Sequence, residues 1–227
     1  MTEQPGPPTE PTPPPAPPPA PPPGAAVATG TAAPLIPGAG PPQPPYPAQL
    51  DIAYQEEYNR WLPLVKGLLA IPHFFALFFV LIAAYLGVIG AWFAVLFTGK
   101  YPPGIFNFVV GAYRWLARVN AYTRLQTDLY PPFSLDDDPN YPVRVVVQYP
   151  EQGIARWRPL LSWLLVIPYA ICAYFVILIA GVCVVIAFFT ILFTKKFPRE
   201  LFDVVTISER WALRTFVYAE FMTEEYP

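Results

Sequence analysis

Two arginines one helical turn apart, the first followed by a tryptophan, occur twice in the chain: Arg114, Trp115 and Arg118, then Arg210, Trp211 and Arg214. A basic pair beside an indole suits an anionic headgroup, which such residues attract at about 1 kcal/mol each near a membrane surface. Arg114, Arg118, Arg210 and Arg214 are therefore the candidate anionic-lipid contacts. Trp61, Trp115, Trp157 and Trp211 are the candidate interfacial anchors, since indole rings settle at headgroup depth. The bland alternative is that these residues only hold a helix at the interface.

Other chemistry finds little support. There is one histidine, His73, so no paired-histidine catalyst or His-based metal cluster can form. No Walker-type phosphate loop or dinucleotide fingerprint appears. Cys172 and Cys183 lie eleven residues apart in one apolar run, roughly 16 Å along a helix and beyond disulfide reach. Asp136-Asp137-Asp138, followed by Pro139-Asn140, reads as a solvated linker rather than a cation site. We expect no catalytic residue, no cofactor and no metal, hence no enzyme.

The elements that position the arginines follow from composition and repetition. Of 227 residues, 54% are apolar and only 13% charged, too little polar surface for a soluble domain. The net charge of -2 gives no basic excess for nucleic acid. Shifting the chain by 96 residues lays Arg60–Pro131 on Arg156–Pro227 with 28 of 72 positions identical, a duplication. Upstream the shift is 95, which places Tyr46 on Tyr141 and Tyr54 on Tyr149.

Each copy reads in the same order. An alternating segment (48–54, then 143–149) predicts a short strand. An apolar run follows, 67–98 and then 163–194, whose 32 residues rise about 48 Å as helix against about 30 Å of hydrocarbon. Each run predicts one transmembrane helix, with Pro72 and Pro168 near its entry. Basic stops at Lys100 and at Lys195-Lys196 precede a second, amphipathic helix, 104–125 and 200–221. Its arginines disfavour a lipid-exposed crossing, so it is expected at the interface.

The fold expected is thus an all-α membrane protein of two tandem repeats. Residues 1–45 form a disordered proline-rich tail, with no cleavable signal peptide evident. Repeat 1 covers 46–135, an acidic linker 136–140 and repeat 2 141–227. The tail holds a run of prolines that forbids helix and sheet and that suits a spacer or a proline-recognising partner. Topology is balanced: the loop 99–159 and the terminal side each carry seven Lys/Arg. The cost of burying arginines favours two crossings, with the strands finding partners in a second protomer.

The strings Leu68-Leu69-Ala70-Ile71-Pro72-His73, Trp92 through Pro102, Arg114-Trp115 and Thr127-Asp128-Leu129-Tyr130-Pro131-Pro132-Phe133 resemble the bacterial membrane family catalogued as domain of unknown function 4389. Copy two departs from that pattern at Lys195 and at Glu224-Glu225. The resemblance implies two tandem copies in a bacterial cytoplasmic (inner) membrane, multi-pass, and brings no activity or cofactor. The function expected is a non-catalytic accessory, scaffold or assembly factor. Its partners would be membrane lipids, a protein bound by the tail, and further copies in a homo-oligomer. The alternative is a small oligomeric transporter or channel built on the repeat.

Overall fold

The computed structural model describes residues 46–227. The tail expected over 1–45 lies outside them. The elements are β1 (Ala48–Ile52), α1 (Leu62–Leu69), α2 (Ile71–Thr98), α3 (Pro103–Thr123), β2 (Val143–Val147), α4 (Arg158–Leu165), α5 (Ile167–Thr194) and α6 (Arg199–Ala219).

Each predicted span is a longer rod, α1–α2 or α4–α5, with a joint at Ala70 or Val166. The joint follows from Pro72 and Pro168, which lack the N–H that would continue the hydrogen-bond ladder. The rods end where the backbone turns left-handed, at Gly99 (φ 73°) and at its counterpart Lys195 (φ 59°). Glycine adopts that conformation freely, whereas lysine there costs roughly 1–2 kcal/mol. Pro102 and Pro198, both extended, then start α3 and α6.

The strands correct the all-α expectation and the search for a second protomer. β1 and β2 pair with each other, antiparallel, with Leu50 opposite Val145 at the centre. Ala53 N donating to Pro142 O and Gln148 N donating to Pro47 O extend the ladder at either end.

The amphipathic helices also differ from expectation. α3 and α6 do not lie apart as surface helices; they form the middle of three layers. The sheet packs on α3 and α6, and these pack on α2 and α5 respectively. Along α3, Ile105 meets Gly87, Trp115 meets His73, and Val119 clusters with Leu77, all on the α2 side. Phe106 meets Tyr149 and Arg114 meets Val145, on the sheet side. At 3.6 residues per turn these two sets point about 180° apart. Burying two faces of the helix leaves most of α3 in the core, including Val109, Val110, Ala112 and Ala121. The outer rods are the reverse: one narrow stripe of α2 (His73, Leu77, Ala84, Val88, Ala91, Val95) is buried and the remainder is apolar and exposed or partly exposed.

The chain is swapped between its halves. β2, from repeat 2, packs on α3 of repeat 1, and β1, from repeat 1, packs on α6 of repeat 2. Tyr58 N, at the entry of repeat 1, donates to Lys195 O, at the exit of rod α4–α5, at 2.9 Å. Ile154 N, at the entry of repeat 2, donates to Gly99 O, at the exit of rod α1–α2, at 2.8 Å. Each entry therefore meets the other exit, and the two rods run antiparallel. The matching contacts define an approximate two-fold axis through the Leu50–Val145 pair.

Candidate functional site

The polar groups converge on the seam where each repeat grips the strand of the other. The four arginines all lie there. Arg114 Nε donates to Val145 O at 3.3 Å, and its equivalent Arg210 Nε donates to Leu50 O at 2.6 Å. Arg210 also reaches Asp51 Oδ1 at 2.7 Å. One turn on, Arg118 lies 5.9 Å from the Tyr141 ring centroid and Arg214 4.9 Å from that of Tyr46. Two tyrosines complete the set: Tyr54 Oη donates to Phe197 O, and Tyr149 Oη donates to Tyr101 O. Each donor sits in one repeat and each acceptor in the other.

Arg118 is 1% exposed, which removes it as a lipid contact. Its guanidinium donates to Ser134 O and Asp136 O, closing the loop after α3 over the helix. Burial lowers its pKa, while Asp138 and Asp137 pull the other way. Arg114, Arg210 and Arg214 are half-buried, with their charge directed at strand carbonyls or tyrosine rings. The spacing that suggested a headgroup site is explained by the strand: residues four apart on a helix face meet successive groups of the strand crossing it.

The tryptophans divide. Trp61 is 66% exposed and Trp157 49% exposed, each at the start of a rod. Trp115 is 5% exposed, a correction to its place among the anchors. Its Nε1 donates to His73 Nδ1 at 3.1 Å, and Phe133 stacks on His73 at 3.8 Å. Trp211 stacks on Tyr169, the counterpart of His73, at 4.9 Å. The indole of Trp115 ties α3 to α2 through the buried His73, and that of Trp211 ties α6 to α5 through the partly buried Tyr169.

Two polar contacts between α3 and α6 were not foreseen. Glu209, 5% exposed, pairs with Arg124 Nε at 2.9 Å. Glu220 faces Tyr113, and burial pushes its carboxyl up to about 7, partly offset by the Tyr113 hydroxyl. The duplication held the signal: Tyr113 aligns with Glu209, and Arg124 with Glu220. One contact is Arg–Glu and its two-fold mate is Tyr–Glu. The fact that helix faces of different repeats meet was missing from the sequence. A third buried charge, Lys66, donates to Thr127 O at 2.8 Å and pairs with Asp128 at 2.8 Å.

Among the described residues no three His, Cys, Asp or Glu side chains gather as a metal site. The seam's hydrogen bonds hold each strand against the helix of the other repeat and fix the relation of the repeats. A family model described as Domain of unknown function (DUF4389) matches residues 62–134 and 156–227. No curated protein and no solved structure matches the chain.

Proposed function

The chain belongs to the DUF4389 family, in two tandem copies, and from that premise we propose that it is a non-catalytic membrane protein acting as an accessory, scaffold or assembly factor. One observation carries the reading: rods Leu62–Thr98 and Arg158–Thr194 expose apolar side chains over most of their circumference, while the seam spends its charges internally. Two helices are long and apolar enough to cross a membrane. An apolar surface of this extent suits lipid, not water. The proline-rich segment 1–45, whose sequence suits a proline-recognising groove, is the part of the chain we assign to partner recruitment. Anionic lipid contact then falls to the exposed basic residues at the rod exits, Lys100, Lys195 and Lys196.

The test is purification of the full chain and of a chain lacking residues 1–45 from carbonate-washed membranes. Both forms are expected to stay with the membrane, and only the full chain to retain a stoichiometric protein partner. Release by carbonate, or identical partners for both forms, would refute the reading.

The antiparallel rods favour a second reading. Two equivalent units of opposite direction form an inverted repeat, an arrangement used by many transporters. A pathway would then run along the polar sheet face inside an oligomer, and solute flux into proteoliposomes would reveal it.

A further inference from the structure

The three layers are polar on one side and apolar on the other, and this fixes how the molecule meets a bilayer. Resting on the membrane reading above, we propose that both rods lie along the plane of the bilayer within one leaflet. Their occupied face is the acyl-chain layer of that leaflet. The sheet, both rod ends and the loop 124–142 then face one aqueous compartment.

Three observations carry this. First, length: the rod Leu62–Thr98 rises about 55 Å, nearly twice the hydrocarbon thickness of about 30 Å. Laid flat, the same rod is about 10 Å thick and fits the roughly 15 Å of one leaflet.

Second, the sheet. The two-fold axis passes through it, so it sits midway between the rod ends. Its outward face carries exposed Asp51, Arg144 and Gln148, and exposed Asp136 and Asp137 lie beside it. In an upright pose these charges would lie at the bilayer midplane, facing acyl chains, where ionised groups are least tolerated. In the flat pose they face water.

Third, the layers. α3 and α6 lie between the sheet and α2 and α5, so the largest exposed apolar surface, that of the rods, is on the side away from the sheet, although Val146, Ile207 and Phe216 are also exposed. Trp61 and Trp157, at opposite ends of the molecule, come to the same headgroup depth, as do the exposed Lys100, Arg156, Lys195 and Lys196.

The experiment uses the full chain with Cys172→Ala and Cys183→Ala, and a single cysteine replacing Glu57 at one end or Glu151 at the other. Both positions are exposed. A membrane-impermeant maleimide is applied to expressing cells, intact and permeabilised. The flat pose expects the two cysteines to behave alike, both labelled in intact cells or both only after permeabilisation. One labelled and the other protected, with the chain still in the membrane, overturns the pose and leaves the membrane reading standing, with the polar conduit as its successor. Release of the chain by carbonate overturns both. Depth gives an independent reading. A fluorophore at Tyr85 or at Phe97, quenched by nitroxide lipids, is expected at one shallow depth. An upright rod would separate the two positions by about 18 Å, and a difference approaching that overturns the proposal.

Discussion

Replacing Arg118 with Met separates a structural arginine from a lipid-binding one. The side chain keeps its length and apolar stem but loses the guanidinium that holds Ser134 O, Asp136 O and the Tyr141 ring. A charged hydrogen bond contributes about 1.5–3 kcal/mol net, and a cation over a ring about 0.5–2 kcal/mol. The methyl group recovers part of this by burial, so a net loss of about 3 kcal/mol is expected. For a folded unit of this size each kcal/mol moves the midpoint by about 2–4 °C. R118M should therefore unfold about 6–12 °C below wild type in detergent. Arg214→Met is its internal control, because Arg214 is half-buried and has only the Tyr46 ring and the Tyr169 hydroxyl beside it. It should cost about 1 kcal/mol, or 2–4 °C. Equal shifts for the two variants would refute the reasoning. So would an unchanged R118M midpoint accompanied by loss of binding to anionic vesicles.

Glu220 titrates near 7 in the folded protein against 4.5 for an ordinary carboxyl, so the folded state holds the extra proton between those values. Stability should fall as pH rises from about 5 to 8, by at most about 3 kcal/mol, and thermal scans of Glu220→Gln should show a flatter profile. Gly111→Ala places a methyl 2.9 Å from Leu135 Cβ and should destabilise by about 1–3 kcal/mol, read as a lower midpoint. Gly104→Ala, with open space around it, should raise the midpoint slightly, by about 0.5 kcal/mol. Arg124→Ala strands the buried Glu209 carboxylate and should cost about 3 kcal/mol, whereas the double variant with Glu209→Leu should recover most of that loss.

Elements that depend on local pattern were legible in the sequence. Alternation at 48–54 and 143–149 located both strands, and the predicted second helices match α3 and α6 within two residues. The rods extend beyond the predicted runs 67–98 and 163–194 at their N-terminal ends, to Leu62 and Arg158, because charged residues near those ends are taken into the fold. Lys66 is buried against Asp128 and Arg158 over the Tyr218 ring. The arginine pairs were found by spacing; burial removes Arg118 from lipid, and Arg114, Arg210 and Arg214 have strand carbonyls or tyrosine rings beside them. Periodicity shows that a helix has a polar face and is silent on what covers it. A strand from the other repeat covers it here, a contact across 31 residues in one half and 160 in the other. The charge of Arg118 is buried against the carbonyls of Ser134 and Asp136.

The exchanged strands make one repeat an unfinished object. Without the other copy, α3 would show an uncovered face where β2 lies, and β1 would be a lone ribbon with no helix beneath it. Two separate single-repeat chains could complete each other through the same ties, as a homodimer with swapped arms. Fusion makes that encounter intramolecular, and the short acidic stretch 136–140 supplies a high effective concentration in place of a dimerisation equilibrium. Once joined, the halves were free to diverge at paired positions, which is how an Arg–Glu contact came to mirror a Tyr–Glu one. The one-residue difference in register falls between strand and rod, the one stretch where slack leaves the two-fold contacts intact.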